Sequence, residues 1–218
     1  MLNNIFIISL FAFWQMLFTG LNKFQCANIS KNILHFIHAL VYVIYYQFYS
    51  DRSFLINLST SFYLYDLIYI ILQFAKRKAA LNAQGPYVIH HIIALYGLYL
   101  SSKNISAEFI LMIYYILENS NFMLYIAYHV NKINNYSTNF VKLIELIQYI
   151  WYSYFRVIYF SRYIIKNREE IYSHGMIISY FLLGVLYTMG IFWSYKLFQK
   201  NMRNISSLLF QEIKPKIE

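Results

Sequence analysis

Charged side chains are scarce in this chain. Only 12% of its 218 residues are Asp, Glu, Lys or Arg, whereas 60% are hydrophobic and 21% are aromatic. An ordinary soluble domain carries about twice that share of charge, so the composition excludes one and predicts a membrane protein. The single cysteine, Cys26, cannot form a disulfide within the chain. No linker, repeat or low-complexity segment divides the sequence, which predicts one membrane domain.

The net charge of +9 does not indicate a nucleic-acid-binding protein. Most of the 18 Lys and Arg residues lie in short segments between apolar runs and in the tail, rather than on one stripe. Charges placed in this way report the topology of a membrane protein. No nucleic-acid partner is therefore predicted.

Apolar runs long enough to cross a bilayer follow one another along the whole chain. A spanning helix needs about 20 residues, and such runs lie at 4–22, 33–50, 54–74, 87–102, 106–128, 140–164 and 175–198. The fourth run is short and follows Gly85 and Pro86, a turn pair whose proline is expected to open the helix. The predicted fold class is all-α, a multi-pass transmembrane helical bundle with six or seven spans.

Positive charges predict the orientation of the bundle. With seven spans, most Lys and Arg residues fall on the side that holds the C-terminus, which the positive-inside rule assigns to the cytosol. The last five residues, KPKIE, place Lys214 and Lys216 as in a K-x-K-x-x dilysine signal. Such signals are addresses read by receptors. We expect an integral membrane protein of the endoplasmic reticulum whose cytosolic tail binds a coat protein.

Ionisable side chains interrupt several apolar runs, and a charge at mid-membrane costs about 2.5 to 3.5 kcal/mol on insertion scales. They are Asp66, His90, His91, Glu118, Glu145 and Arg156. Four further candidates share helical faces with one another or with Glu118: His35, His38, Asn121 and Tyr125. Most of these groups fall in the predicted cytosolic half, which predicts one shared pocket. For Glu145 and Arg156, separate pairing with neighbouring helices is an equal alternative.

The histidine pair in "YVIHHIIAL" has three interpretations. Imidazole exchanges protons near neutrality, with an unperturbed pKa of about 6.5, so His90 or His91 could act as a base or nucleophile oriented by Asp66. Ligation of a metal together with His35 and His38 is weakly supported, because no second H-x-x-H-H run exists, and no metal is predicted. A structural role is the third interpretation.

Four segments in order resemble the TLC-domain family, which includes ceramide synthases and translocation-associated membrane proteins. They are "FYLYDLIYI" with Asp66, "YVIHHIIAL" with His90 and His91, "ILENSNFMLY" with Glu118, and "YFRVIYFSRYII" with Arg156. The resemblance covers Ile33 to Lys200. It divides the chain into a first helix and cytosolic loop (1–32), a TLC-like transmembrane domain (33–200) and a basic cytosolic tail (201–218).

The resemblance implies a helical bundle around a central lipid pocket, usually in the endoplasmic reticulum. In the synthase branch, an acyl chain moves from acyl-CoA to the amine of a long-chain base, and His90 and His91 would match the paired histidines. The stretch "ENSNFML" looks more similar to a less characterised branch tied to membrane lipid composition. Whether the chain is an enzyme stays open; if it is one, an acyl-CoA-dependent N-acyltransferase is expected.

The expected function is lipid homeostasis, with an acyl chain or sphingolipid held in an intramembrane pocket. The expected partners are membrane lipid, acyl-CoA and a long-chain base, and acyl-CoA would be a substrate, since no cofactor is predicted. The sequence does not decide whether the protein forms a homodimer. The alternative is a non-enzymatic trafficking or cargo receptor of the endoplasmic reticulum, in which the dilysine-like tail is central.

Overall fold

The computed structural model describes residues 2–49, 51–76, 81–132, 136–169 and 177–211. Within them the long helices are α1 (Asn4–Asn22), α2 (Ala27–Phe48), α3 (Arg52–Ala75), α4 (Leu81–Ser102), α5 (Ala107–Lys132), α6 (Thr138–Ser153), α7 (Phe160–Lys166) and α8 (Ile177–Gln211). A π-helical turn, Tyr154–Tyr159, joins α6 to α7 without a break. The described residues contain no strand, which confirms the predicted all-α bundle.

The helices begin where short polar side chains cap them. Asn3 accepts a hydrogen bond from the amide of Phe6 at the start of α1, and Asp51 does the same for Ser53 at the start of α3. Ser137 caps α6. Each cap satisfies an amide that lacks a partner within its own helix, which stabilises the start by about 1 kcal/mol.

The start of α4 differs from the sequence prediction. Pro86 was expected to open this helix, but α4 begins at Leu81 and contains Pro86. A proline removes one hydrogen bond to the preceding turn, and near a helix start few such bonds precede it. The helix thereby reaches 22 residues, about 33 Å at 1.5 Å per residue, which is enough to cross the hydrocarbon layer.

Four helical segments are long and apolar enough to cross a membrane: α1, α3, α5 and Tyr180–Ser206 of α8. Large apolar side chains point outward from the bundle, for example Ile5 (79% exposed) and Met16 (67% exposed). Such surfaces are stable in lipid and costly in water. The chain is therefore a membrane protein.

Two apolar clusters hold the bundle together. In the first, Trp14 of α1 is buried against α3, and its Nε1 donates to Ser61 Oγ at 3.1 Å. Tyr42 of α2 crosses to α5, where its hydroxyl donates to the carbonyl of Leu111 at 2.9 Å. The second cluster joins α5, α7 and α8 and includes Phe160. The polar side chains considered below come from the helices of both clusters.

Candidate functional site

A polar cavity of about 590 Å³ lies among α2, α3, α4, α5, α6 and α8. It is lined by most of the site residues predicted from the sequence: His35, Asp66, His90, His91, Glu118, Asn121, Tyr125 and Arg156. Lys31, Tyr63, Tyr152 and Lys196 line it as well. The bundle thus brings side chains that are far apart in the sequence around one space.

Asp66 is the centre of a charged cluster on one wall of this cavity. Its carboxylate is buried, and Oδ2 lies 2.6 Å from His91 Nε2. Oδ1 lies 2.9 Å from Lys31 Nζ and 3.3 Å from His35 Nε2. Three helices, α2, α3 and α4, therefore meet at this one side chain.

This contact fixes the tautomer of His91. A carboxylate accepts hydrogen bonds, so His91 Nε2 carries the proton and donates a hydrogen bond to Asp66. In neutral His91 the lone pair is then on Nδ1, which is buried and has no hydrogen-bond partner in the described part of the chain. Asp66 thus holds His91 in one orientation and leaves one imidazole nitrogen as a free acceptor.

His90 occupies a different position from its neighbour. Its ring contacts those of Tyr63 and His91, and its buried Nδ1 has no hydrogen-bond partner among the described residues. It lines the polar cavity and also a second cavity of about 80 Å³. That second cavity is apolar, and its walls come from α3, α4, α5 and α8, including Leu183 and Leu186.

Tyr63 and His90 are the side chains that line both spaces. Tyr63 also donates a hydrogen bond of 2.5 Å to Glu118 Oε1. The polar and apolar cavities are therefore neighbours, and an imidazole and a phenol lie where they adjoin. An amphiphilic molecule could place its chain on one side of these groups and its head group on the other.

His38 lies behind the wall of the cavity. Its ring stacks on Phe62 with centroids 4.0 Å apart, its Nε2 is 3.2 Å from Ser59 Oγ, and its Nδ1 is 3.6 Å from Glu118 Oε1. It is fully buried and does not belong to the described lining of either cavity. His38 thus lies beside Glu118 on the α2 side, and its Nδ1 has no hydrogen-bond partner among the described residues.

Glu145 also lies outside the described lining of the two cavities. It contacts α8, with Lys200 Nζ at 2.7 Å from Oε1 and Asn204 Nδ2 at 2.7 Å from Oε2. Asn201 donates to its backbone carbonyl at 3.3 Å. Glu145 therefore follows the alternative given in the sequence analysis: it pairs with a neighbouring helix, and this contact holds α6 against α8.

The family model of the TLC domain matches residues 5–199. The chain belongs to the TLC-domain family. The match begins in α1 and ends in α8, so every described residue that lines the polar cavity lies within the TLC domain. No curated protein and no solved structure gives a significant match. Family membership confirms the resemblance seen in the sequence and indicates a membrane protein related to lipids.

Among the described residues of this TLC-domain protein, no group of three His, Cys, Asp or Glu side chains could hold a metal ion. Lys214 and Lys216, proposed from the sequence as a targeting signal, lie outside the described residues.

The sequence analysis missed Lys31 and Tyr63, which lie near Asp66, as well as Tyr152 and Lys196 in the lining of the same cavity. Lys31 was counted only as a topological charge, yet it lies four residues before His35 and shares its helical face. Tyr63 lies three residues before Asp66 and also shares a face with it. Helical spacing from the predicted residues was the signal that could have identified Lys31 and Tyr63.

Proposed function

We propose that this TLC-domain protein acts in lipid homeostasis by binding an acyl lipid or acyl-CoA across the two adjoining cavities. Part of the acyl chain enters the apolar cavity, whose volume is about 80 Å³, and the head group occupies the polar one. One observation carries the proposal: His90 and Tyr63 border both spaces. The apolar walls accept the chain at little cost, because the chain leaves an equally apolar bilayer.

Unsatisfied acceptors in the polar wall support a head group that donates hydrogen bonds. His90 Nδ1 and His91 Nδ1 are buried and have no hydrogen-bond partner among the described residues. A buried polar group without a partner costs about 1 to 3 kcal/mol. The amine or hydroxyl groups of a long-chain base would satisfy such acceptors after small side-chain shifts. The acyl lipids in the proposal therefore include sphingolipids.

The polar cavity lies toward one end of the bundle. Lys31 and His35 are in the first half of α2, His91 is in the first half of α4, and Tyr125 is in the second half of α5. These half-helices meet on the side that the positive-inside rule assigns to the cytosol. A cavity open to the cytosol of an endoplasmic-reticulum protein suits acyl-CoA, whose head group cannot enter the bilayer.

The same arrangement supports N-acyl transfer as the chemical step of this function. The amine nitrogen of a long-chain base would attack the thioester carbon of acyl-CoA, so that a C–N bond forms and the C–S bond breaks. His90 would take the proton that the amine loses and return it to the departing thiolate. His91, held by Asp66, would keep the neighbouring wall of the site in place.

Lipid mass spectrometry of the purified full chain tests both levels of the proposal. The wild type, His90→Ala and His91→Ala are incubated with acyl-CoA and a long-chain base, and bound lipid and product are measured. His129→Ala is the matched control, because His129 lies on α5 outside the described lining of both cavities.

We expect acyl lipid to copurify with the wild type and the His129 variant, and an N-acylated product to disappear in His90→Ala. If lipid copurifies but no product forms, lipid binding is supported and the proposed N-acyl transfer is wrong. If neither lipid nor product is found with wild-type protein, the proposed function is wrong.

A further inference from the structure

A buried arginine on the wall of the polar cavity forms no ion pair with any acidic side chain that the structure describes. Arg156 is 4% exposed. Its Nε donates to Ser120 Oγ at 2.7 Å, and its Nη2 donates to Asn121 Oδ1 at 3.3 Å. Among the described residues, no carboxylate oxygen lies within 4.0 Å of its guanidinium nitrogens. A guanidinium has more N–H donors than these two acceptors use.

Neutral partners contact this guanidinium directly, and the buried Glu118 of the same cavity interacts with it electrostatically without forming an ion pair. Because a buried charge is costly and this guanidinium has donors left over, an anion in direct contact with it would stabilise it. The planar fork of a guanidinium binds phosphate or carboxylate through two parallel hydrogen bonds. Because Arg156 lines the cavity, the missing anion can be part of a bound ligand.

The remaining charges of the cavity also favour an anion on this side. Lys31 is paired with Asp66. Lys196 of α8 is exposed and lines the cavity, and its Nζ lies 4.5 Å from the ring centroid of Phe192. Within the described chain it has no carboxylate partner. The π-helical turn and α8 thus bring two positive charges to this side of the cavity, Arg156 and Lys196, against the one carboxyl of Glu118 on α5.

Two backbone features place Arg156 at the cavity. It lies inside the π-helical turn Tyr154–Tyr159, a kind of turn often found at functional sites. Gly190 of α8 packs directly on it, because a Cβ atom there would lie 3.3 Å from Arg156 Cβ and 3.3 Å from its carbonyl oxygen. A Cβ atom at position 190 would force this turn or α8 to shift by a few tenths of an ångström. The close approach of α8 therefore holds the backbone and Cβ of Arg156 in place.

We propose that Arg156, assisted by Lys196 at the mouth of the cavity, binds the phosphate of an acyl compound whose chain enters the apolar cavity. The inference rests on the proposed function, since it assumes an acyl ligand. In a free fatty acid the carboxylate is the first group of the acyl chain. It would therefore lie beside His90, where the chain leaves the apolar cavity. An anion at Arg156 therefore belongs to a larger head group, for which the polar cavity of about 590 Å³ has room.

Paired ligands with one acyl chain test this assignment. The purified full chain, stripped of lipid in detergent, is titrated with 1-oleoyl lysophosphatidic acid, oleoyl-CoA and 1-oleoylglycerol, and binding is followed by native mass spectrometry. Both phosphate-bearing compounds are compared with the neutral glycerol ester. Wild type, Arg156→Gln and Arg156→Lys are compared, and the thermal unfolding of each variant is recorded so that misfolded protein is recognised.

We expect wild type to bind at least one phosphate-bearing compound about tenfold more tightly than 1-oleoylglycerol, equivalent to about 1.4 kcal/mol. Arg156→Gln should abolish this preference without changing affinity for 1-oleoylglycerol, and Arg156→Lys should retain part of it. Preference for lysophosphatidic acid would identify a lipid phosphate, and preference for oleoyl-CoA a nucleotide phosphate.

Other results would overturn the assignment. Equal affinity of wild type for all three compounds would exclude a phosphate site while leaving acyl binding intact. An equal loss for every ligand in Arg156→Gln would show that the arginine is only structural. Binding of none of the compounds would overturn the proposed function together with this inference.

A matched pair of glycines on α8 tests the positioning by the backbone. Gly190→Ala adds a methyl group against Arg156, whereas Gly184→Ala adds one where no atom lies within 4 Å. Both changes raise helix propensity by the same amount. The phosphate preference should fall in the first variant and persist in the second. Equal preference in both would overturn the role assigned to Gly190.

Discussion

Removing the negative charge of Asp66 should destabilise the bundle through Lys31. In Asp66→Asn the side chain keeps its shape, but Lys31 Nζ loses the carboxylate oxygen at 2.9 Å. His91 can adapt to the amide by changing its tautomer, because its Nδ1 has no other described partner. The ammonium group of Lys31 cannot adapt in this way, so most of the cost should come from the ion pair.

The magnitude follows from the burial of the two partners. Leaving one member of a buried pair unpaired costs about 3 to 5 kcal/mol, but the Lys31 side chain is 25% exposed and water compensates part of this loss. We therefore expect Asp66→Asn to lower the free energy of unfolding by about 2 kcal/mol, below the fully buried range. Lys31→Met should cost about 3 kcal/mol, because the carboxylate it leaves behind is more deeply buried.

A double-mutant cycle separates this ion pair from unrelated effects of the substitutions. If Asp66 and Lys31 stabilise each other, the double variant should be destabilised by about 2 kcal/mol less than the sum of the single variants. Equilibrium unfolding of the purified chain in mixed micelles, with an increasing fraction of sodium dodecyl sulfate, gives the free energies.

The control cycle uses Arg52 and Glu108, an ion pair whose side chains are 52% and 60% exposed. An exposed pair contributes about 0 to 1 kcal/mol, so Arg52→Met and Glu108→Gln should give nearly additive effects. Additive effects for Asp66 and Lys31 as well would refute the reasoning, because the pair would then contribute nothing beyond its exposed counterpart.

Three further predictions address other parts of the molecule. Trp14→Phe removes the donor to Ser61 and should lower the free energy of unfolding by about 1 kcal/mol; unchanged stability in the same micelle titration would contradict a contribution of α1 to the core. Leu186→Phe fills the apolar cavity and should shorten the acyl chains of copurified lipid in mass spectrometry, whereas an unchanged length distribution would exclude this cavity as the chain site. Changing Lys214 and Lys216 to Ser should move a tagged protein out of the endoplasmic reticulum under the microscope, and unchanged localisation would count against the retrieval signal.

The helical architecture could be predicted from the sequence because it depends on local properties. Run lengths and hydrophobicity indicate helices without any knowledge of their neighbours. The contact of His91 with Asp66 could also be predicted, because few groups in an apolar bundle can form a hydrogen bond with a buried imidazole. The start of α4 was not predictable in this way, since Pro86 is tolerated inside the helix.

The orientation of side chains around each helix axis could not be derived from one sequence. Glu145 and Arg156 are eleven residues apart, about three α-helical turns, so an uninterrupted α-helix would place them on one face. In the structure Glu145 contacts Lys200 and Asn204 of α8, whereas Arg156 donates to Ser120 of α5. The π-helical turn that contains Arg156 interrupts the 3.6-residue period, and nothing in the local sequence indicates it.

The distribution of polarity among the helices explains how the bundle tolerates its polar site. Among the described helices, α2 and α4 are not among the four that are apolar enough to cross a membrane by composition. Helix α2 carries Lys31 and His35, and α4 carries His91. The apolar helix α3 supplies Asp66, which contacts all three of these side chains. Each polar helix therefore gains its compensating charge only after it packs against an apolar neighbour. Stability of the bundle and integrity of the site should consequently be lost together when Asp66 is replaced.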